Sequence, residues 1–300
     1  MTLPTMKDRC EEISSPNVAN FVISIIILIG ILVSYLPQHI KIIRRRSSRG
    51  LSPMFVLLGT VSGTAGIANI LTLPSSRADM GCCKEISTFA CTAALLGIAQ
   101  VGVQWTCFFF IMLLFLIFFP RRVDDVDEPD LPTWVEAVMV LSVSMAFFIA
   151  VFIASVVFIY AQPEHLQGWA NFLGITGTIL ASLQYLPQIW TTWKLQHVMS
   201  LSIPMMCIQT PGSFVWAASL AARVGPEGWS AWGLYCVTGC LQGVLLAMGI
   251  SFWLRDRRQV RYESDSSLAG NQPNGHAAIR SEEGLNEQTP LLSDSGIGPE

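Results

Sequence analysis

The tetrapeptide Tyr-Leu-Pro-Gln occurs twice in this chain, at residues 35–38 and again at residues 185–188. Each copy closes a long apolar run. After twelve further residues each is followed by Leu-Ser and by a proline that precedes another apolar run. Two matching segments 150 residues apart indicate an internal duplication. A duplicated chain with long apolar runs is typical of membrane transporters, which place their binding site between the two halves.

The composition favours a membrane protein and excludes a nucleic-acid-binding one. Hydrophobic residues make up 52% of the chain, charged residues only 13%, and the mean hydropathy is +0.50. A soluble domain carries roughly 25% charged residues, so we expect lipid to cover much of this surface. The basic clusters flank apolar segments, the formal net charge is -3 and the pI is about 5.8, so a nucleic-acid partner is excluded.

Seven apolar runs have the length of roughly 20 residues that a membrane-crossing helix needs. They are residues 17–38, 53–73, 92–119, 134–160, 168–190, 203–222 and 229–254. The second and sixth runs are rich in Gly, Ser and Thr, which predicts burial within the helix bundle, because small residues allow helices to pack closely. The first run is too long for a cleavable signal peptide and lacks a small-residue cleavage site.

The distribution of Lys and Arg predicts the orientation of the chain. Five of these residues lie on the N-terminal side of the membrane and twelve on the opposite side. The five are Lys7, Arg9, Arg77, Lys84 and Arg223, and the twelve are Lys41, Arg44, Arg45, Arg46, Arg49, Arg121, Arg122, Lys194, Arg255, Arg257, Arg258 and Arg261. Because the basic side normally faces the cytosol, we expect a cytosolic C-terminus and a luminal or external N-terminus.

Three cysteines, Cys10, Cys82 and Cys83, fall on the predicted luminal side. That side is oxidising, so a disulfide from Cys10 to either Cys82 or Cys83 is compatible with their positions, and free or buried thiols are the alternative. The remaining five lie within the apolar runs, where small buried thiols are expected. They are Cys91, Cys107, Cys207, Cys236 and Cys240. The chain lacks the CxxC spacing of metal sites, and we expect neither a metal nor a cofactor.

Residues 263–300 differ in kind from the rest of the chain. They are rich in Ser, Gly, Asn, Pro and Glu and nearly lack aromatic residues, so they bury too little apolar surface to fold. Within them, Glu287 stands four positions before Leu291 and Leu292. This spacing resembles the acidic dileucine signals that sorting adaptors read, and on a cytosolic tail it predicts delivery to a lysosome or vacuole.

Alignment of the two Tyr-Leu-Pro-Gln motifs pairs the first three runs with the last three and leaves the fourth as a connector. We therefore predict an all-α integral membrane protein whose seven transmembrane helices form two parallel three-helix repeats joined by a connector helix. This arrangement and the doubled Pro-Gln resemble the PQ-loop repeat family over about residues 17–254. Members of that family and its distant relatives include cystinosin, the lysosomal and vacuolar exporters of basic amino acids, the SWEET sugar transporters and the KDEL receptors.

The resemblance implies a transporter of an amino acid or related metabolite in a vacuolar or lysosomal membrane. The expected partners are lipid, the small solute and a sorting adaptor at the tail. The chain then divides into a luminal tail, a first repeat, an acidic cytosolic loop, a connector helix, a second repeat and a cytosolic tail. Their ranges are 1–16, 17–119, 120–133, 134–160, 161–262 and 263–300.

The two Pro-Gln pairs are candidate hinges. Pro37 and Pro187 lack an N–H and crowd the carbonyl one turn earlier, so we expect each to kink its helix near the cytosolic face. Repeated at equivalent positions, such kinks provide a hinge for alternating access, and Gln38 and Gln188 can hydrogen-bond to the freed carbonyls. The alternative is that each proline ends its helix at the membrane surface and each glutamine faces the lipid headgroups.

Polar residues inside the runs mark a candidate solute pathway, since such residues face a bundle interior or a water-filled cavity. Many are spaced three or four residues apart and so share one helix face. The candidates are Thr64, Asn69, Gln100, Gln104, Asn171, Thr178, Tyr185, Gln209, Trp216 and Gln242. The alternative is that these residues pack and hydrogen-bond between helices without binding a ligand.

Ionisable residues are nearly absent from the interior of the runs. In the basic-amino-acid exporters the second span carries an Asp after a Gly pair, and the resemblance puts Thr64 in that place here. A proton-driven carrier usually needs a carboxylate that titrates within the membrane, so this difference argues against a cationic substrate and against proton coupling. A neutral solute recognised by hydrogen bonds and by Trp105, Trp216 or Tyr185 fits these residues better.

A heptahelical receptor or trafficking factor without transport activity is the alternative function. The internal repeat argues against a G-protein-coupled receptor, as does the sequence Phe-Pro-Arg-Arg at residues 119–122, where such receptors carry Asp/Glu-Arg-Tyr. An enzyme is not expected, because the four histidines lie outside the interior of the runs and no nucleophile–base constellation is present.

Overall fold

A computed structural model describes residues 6–48, 51–119, 133–195 and 203–269. Within these ranges the chain is helical, without strands. The α-helices are α1 (Met6–Ser14), α2 (Val18–Arg45), α3 (Pro53–Thr72), α4 (Pro74–Cys82), α5 (Thr88–Ile117), α6 (Trp134–Tyr160), α7 (Leu166–Leu195), α8 (Ile203–Val224) and α9 (Trp229–Ala269), with short 3-10 helices at Pro163–His165 and Pro226–Gly228. The chain forms two compact units, residues 1–255 and 256–300, and the described part of the second, residues 256–269, is helical.

Among the residues that the structure describes, five helices are long and apolar enough to cross a membrane: α2, α3, α5, α6 and the segment Pro226–Arg255 that contains most of α9. The chain is therefore an integral membrane protein. Two further helices, α7 and α8, have 30 and 22 residues and reach the length of about 20 that a span needs. Amide, hydroxyl and glycine residues make these two helices less apolar than the other five.

Several helices begin at residues that either bond to the free N–H groups of the first turn or lack such a group. Asn17 accepts hydrogen bonds from the backbone N–H groups at the start of α2, and Ser87 does the same for α5. Thr133 and Glu136 form a reciprocal capping box that begins α6. Pro53 occupies the first position of α3, where its missing N–H leaves no hydrogen bond unmade. These local signals explain where the long helices start.

Both motif prolines lie inside helices, with eight helical residues following each of them in α2 and α7. The alternative in which Pro37 and Pro187 end their helices is therefore wrong, and each helix continues beyond the ends of the first and fifth apolar runs at residues 38 and 190. The loss of one backbone N–H does not end a helix when the turns that follow pack against other helices. Ile42 and Thr192, which lie beyond the prolines, are each 5% exposed.

Helix α3 lies in the middle of the bundle and packs against α5, α6 and α7. In its most apolar stretch 56% of the residues are buried, against 11% for α2, which confirms the predicted burial of this Gly- and Ser-rich run. A Cβ atom at Gly177 of α7 would lie 3.5 Å from the Cβ of Ala65. At the same level the Ser62 hydroxyl donates a 3.0 Å hydrogen bond to the Gly177 carbonyl. Small residues thus bring α3 and α7 close together.

The described residues form three apolar clusters, and two of them join most of the long helices. The larger one joins side chains of α2, α3, α5, α7, α8 and α9, including Ile31, Ile70 and Leu220. The second lies between α3, α5 and α6 and is centred on Phe115 and Met112, which are fully buried. Because the larger cluster takes residues from both halves of the sequence, the two halves share one apolar core.

Two disulfides fix the short helices to one end of the bundle. Cys10 of α1 pairs with Cys82 of α4, and Cys83 pairs with Cys91 of α5. Their Cα–Cα distances of 5.3 Å and 5.0 Å lie within the usual range. The structure therefore places the Cys10 partner at Cys82, and it corrects the expectation that Cys91 is a buried free thiol. The start of α5 at Thr88 puts Cys91 within one turn of the helix N-terminus, beside the end of α4.

The other four cysteines are free. Cys107 and Cys236 are only half-buried, which is less than the burial expected of thiols in apolar runs, and Cys207 and Cys240 are exposed on the bundle surface. The expectation of burial is wrong for the last two because an apolar run also has a face that points away from the other helices.

Candidate functional site

The tyrosine of each Tyr-Leu-Pro-Gln motif lies next to a glutamine on the third long helix of its own half. Tyr35 of α2 lies next to Gln104 of α5. The hydroxyl of Tyr185 of α7 accepts a 2.8 Å hydrogen bond from Nε2 of Gln242 on α9. The sequence duplication is thus accompanied by a duplicated tyrosine–glutamine contact in the fold.

A third tyrosine connects this contact to the second half of the sequence. The buried Tyr235 of α9 donates its hydroxyl to Oε1 of Gln104 at 3.0 Å. Its ring lies against Trp216 of α8, with 4.0 Å between the ring centroids. Tyr35 lies close enough to both Tyr185 and Tyr235 to interact with them electrostatically. We call Tyr35, Tyr185, Tyr235, Gln104 and Gln242 the tyrosine cluster.

Next to the tyrosine cluster, Asn69 of α3 borders a small enclosed cavity. Its Nδ2 donates to the Ala170 carbonyl at 2.6 Å and to the Ser230 hydroxyl at 3.0 Å. Its Oδ1 is buried and has no hydrogen-bond partner among the described residues. The cavity, which Gly174 and Tyr235 also line, measures about 10 Å³, close to the space that one water molecule needs. An unpaired buried acceptor beside a cavity marks a place where a hydrogen-bond donor would be stabilised.

Four more of the predicted pathway residues hydrogen-bond between helices or lie at their contacts. Gln100 of α5 is buried and donates to the Ser24 carbonyl of α2 at 2.8 Å. Gln209 of α8 donates to the Ser34 hydroxyl of α2 at 3.1 Å, and Thr64 of α3 accepts a 3.0 Å hydrogen bond from Nε1 of Trp105. The fourth is Trp216, whose Nε1 is buried without a partner among the described residues. The Gln209 bond joins the two halves, as do the bonds of Asn69 and Tyr235, whereas those of Gln100 and Thr64 join helices within the first half.

Two predicted pathway residues are not brought into this group. Asn171 accepts a 3.2 Å hydrogen bond from Gln167 one turn earlier on α7. Thr178 donates to the Gly174 carbonyl of its own helix at 2.8 Å. Both bonds lie within α7, so in this conformation neither side chain joins the polar contacts between the halves.

The residues of the two motifs have the same exposure in both copies. Pro37 and Pro187 are exposed, whereas Gln38 and Gln188 are half-buried. After the second proline, the Thr191 hydroxyl donates to the Pro187 carbonyl at 2.9 Å. The hinge role of these residues stays a prediction. The dileucine residues Glu287, Leu291 and Leu292 lie outside the described residues.

The PQ loop repeat matches this chain at residues 19–78 and 169–236. The chain is also 31% identical over 274 residues to the uncharacterized protein C4C5.03 of Schizosaccharomyces pombe, an alignment that covers 87% of this chain and 89% of that protein. The chain belongs to the PQ-loop repeat family. Both PQ-loop matches contain a Tyr-Leu-Pro-Gln motif, whereas Gln104 and Gln242 lie outside them. The partners of the motif tyrosines are therefore visible only in the fold.

A group of charged residues that sequence reasoning missed lies at the α4 end of the bundle, beyond the first PQ-loop match. Arg9 of α1 donates to both carboxylate oxygens of Asp79 of α4, at 2.9 Å and 3.3 Å. It also donates to the Arg223 carbonyl of α8 at 2.8 Å. Asp79 is buried, and this burial raises the pKa of its carboxyl although Arg9 acts in the opposite direction. Arg9 precedes Cys10 and Asp79 lies one turn before Cys82, so the Cys10–Cys82 bridge would have pointed to this pair.

Proposed function

We propose that this protein is a membrane carrier of a small polar solute, and not an enzyme, and that it crosses the membrane seven times. In this proposal α7 and α8 join the five apolar helices as spans. Residues 17–119 and 161–262 form two parallel three-helix repeats, with the helix of residues 134–160 as their connector. The repeated tyrosine–glutamine contact supports this arrangement, because the motif tyrosine of each half lies next to a glutamine on the third long helix of that half.

The observation that carries the proposal is the convergence of uncharged polar side chains from both halves on one region of the bundle. Hydrogen-bonding groups inside a membrane bundle are stabilised only by partners or by a polar ligand. Here Asn69 and Gln242 each keep a buried carbonyl oxygen without a partner among the described residues, and Trp216 keeps a buried N–H. These groups offer acceptors, a donor and aromatic rings to a solute when the helices separate.

The chemistry of the region favours a solute without net charge, such as an amino acid or a related metabolite. The tyrosine cluster and Asn69 contain no ionisable group that is charged at neutral pH, so they provide no counter-charge for a cation. The cavity beside Asn69 is too small for such a solute, with room for about one water molecule. This conformation is therefore closed, and transport requires the helices around Gly174 and Ser230 to move apart.

We place the protein in a vacuolar or lysosomal membrane, with its N-terminus in the lumen and its C-terminus in the cytosol. The excess of Lys and Arg on one side supports this orientation. Both disulfides lie on the opposite side, where an oxidising lumen would form them. The dileucine sequence at Glu287, Leu291 and Leu292 would bind a sorting adaptor on the cytosolic side.

Solute flux into proteoliposomes tests the proposal. A screen of amino acids and sugars, with and without a pH gradient, should find a solute whose uptake requires the protein. The substitution Gln104→Leu keeps a similar volume but removes the bond to Tyr235, and it should reduce that uptake at least about tenfold, the effect of roughly 1.4 kcal/mol.

The matched control is Thr106→Val on the same helix. Thr106 is exposed and donates only to the Gly102 carbonyl within α5, so its loss should leave uptake unchanged. Full activity of the Gln104→Leu variant would refute the assignment of the tyrosine cluster to the solute pathway. Folded protein that moves no solute in the screen would favour a receptor or trafficking factor instead.

A further inference from the structure

The charged residues at the α4 end connect five helices through a single chain of contacts. Asp79 of α4 binds Arg9 of α1, and Arg9 in turn donates to the Arg223 carbonyl at the end of α8. The Arg223 guanidinium donates to the Ala93 carbonyl of α5 and to the Ser24 hydroxyl of α2. We call Arg9, Asp79 and Arg223 the charged clasp.

The clasp links segments that belong to different halves of the sequence. Arg9 and Asp79 precede the connector helix, whereas Arg223 ends the second helix of the second repeat. The Cys10–Cys82 disulfide keeps α1 on α4, so Arg9 stays next to Asp79. For the two halves to separate at this end, the bond from Arg9 to the Arg223 carbonyl must break, as must the bonds of the Arg223 guanidinium.

The charges around Asp79 come from two neighbouring helices. Arg9 and Glu12 face it from α1, and Arg223 faces it from α8. The helices α3 and α5, which also pack against α4, contain no charged side chain. Glu12 sits on the outer side of Arg9 with its side chain 69% exposed, whereas the Asp79 side chain is 7% exposed. Of the two carboxylates that bind Arg9, only Asp79 is removed from water when the clasp forms.

We propose that Asp79 is a proton-binding site, and that a proton taken from the lumen favours closure of the bundle at the α4 end. This inference rests on the proposed luminal orientation and carrier function. Closing the clasp moves the Asp79 carboxyl from water into a buried position, and a neutral carboxylic acid loses less hydration in that step than a carboxylate. Asp79 thereby supplies an acid group that the interiors of the spans lack.

The direction of the pH dependence follows from the same burial. Desolvation raises the pKa of Asp79 in the closed state, and the hydrogen bond and charge of Arg9 lower it only in part. In an open, hydrated state burial no longer raises the pKa of Asp79, whereas Arg9, which the disulfide keeps beside it, still lowers that pKa. The closed state therefore binds the proton more tightly, so acidification from neutral pH should favour closure and a return to neutral pH should favour opening.

Hydrogen exchange of the full chain in lipid nanodiscs tests this inference without any solute. Exchange would be followed in peptides covering α1 and α4 at roughly pH 4 to pH 8, after correction for the intrinsic pH dependence of amide exchange. In the unmodified protein, protection of α1 and α4 should rise as the pH falls, by at most about tenfold per pH unit for a single proton. The isosteric variant Asp79→Asn should show high protection and lose this pH dependence.

Two further variants separate a proton site from a purely structural ion pair. Arg9→Gln removes the cation that lowers the pKa of Asp79, so the midpoint of the protection change should move to higher pH. Glu12→Gln is the matched control, because Glu12 binds the same guanidinium from the exposed side, and this variant should keep the pH dependence. Unchanged protection of α5 and α6 verifies that each variant is folded.

The inference is overturned if Asp79→Asn retains the pH dependence, or if acidification lowers the protection of α1 in the unmodified protein. A midpoint that moves to lower pH in Arg9→Gln would overturn it as well. None of these measurements involves flux. An incorrect proton site would therefore show in the hydrogen-exchange data, and an incorrect carrier function would show in the flux screen.

Discussion

Close contact between α7 and α9 beside the Asn69 cavity predicts that Gly174→Ala destabilises the protein. A Cβ atom at residue 174 would lie 2.5 Å from the Ser230 carbonyl oxygen and 2.6 Å from the Ser230 Cβ. Because carbon–oxygen contacts normally start near about 3.3 Å, the two helices would have to separate by nearly an ångström. That movement also stretches the bond between Ser230 and Asn69, which is 3.0 Å long.

A matched control on another long helix separates the cost of overpacking from the gain in helix propensity. Forced overpacking of this kind costs about 1–3 kcal/mol. A Cβ atom added at Gly30 in α2 would meet no other atom within 4 Å. Gly30→Ala should therefore change stability only through helix propensity, by about 0.5–1 kcal/mol in the stabilising direction. Since Gly174→Ala gains the same propensity, the overpacking should equal the difference between the two variants.

The assay is the free energy of unfolding in mixed detergent micelles, compared for the two variants and the unmodified protein. We expect Gly174→Ala to be about 1–3 kcal/mol less stable than Gly30→Ala. Equal free energies of unfolding for the two variants would show that α7 and α9 are not in contact at Ser230. The position of the Asn69 cavity between these helices would then be wrong too.

Three other predictions concern the Cys10–Cys82 disulfide, the motif prolines and the C-terminal tail. Cys10→Ser opens a disulfide of sequence separation 72, and the chain-entropy relation then gives a loss of up to about 4 kcal/mol, measurable as a lower unfolding temperature under non-reducing conditions. Pro37→Ala and Pro187→Ala should restore helical hydrogen bonds and reduce solute flux while targeting stays normal, so full flux in both variants would exclude the hinge. Replacement of Leu291 and Leu292 by Ala should do the reverse, with the protein found at the cell surface by microscopy and its flux retained.

The tyrosine cluster shows how far the sequence alone could lead. The duplicated motif and helical spacing identified Tyr185, Gln104 and Gln242 as inward-facing polar residues. They did not predict that Gln104 bonds Tyr235 and lies next to Tyr35, because helical periodicity gives the face of a helix but not its rotation and height relative to a neighbour. Those depend on close contacts such as the one between Gly177 and Ala65.

The charged clasp was not predicted for a related reason. Asp79 and Arg223 lie in segments that connect apolar runs and Arg9 lies in the tail before the first run, where the usual expectation is a hydrated charge. Burial of Asp79 arises only where α1, α4 and the end of α8 meet, and a disulfide between residues far apart in the sequence keeps α1 on α4. Likewise, the sequence does not show which cysteines pair when several lie on the same side of the membrane.

The amino-acid sequence by itself determined that this protein is a helical membrane protein of the PQ-loop repeat family, with two copies of Tyr-Leu-Pro-Gln and a central run rich in small residues. Hydrophobic length and local capping are properties of neighbouring residues, so they can be recognised along the chain. Only the tertiary structure decided that the motif prolines lie inside their helices, which glutamine meets each tyrosine and which carboxylate is buried. Each of these depends on contacts between residues distant in sequence, where packing overrides the local signal.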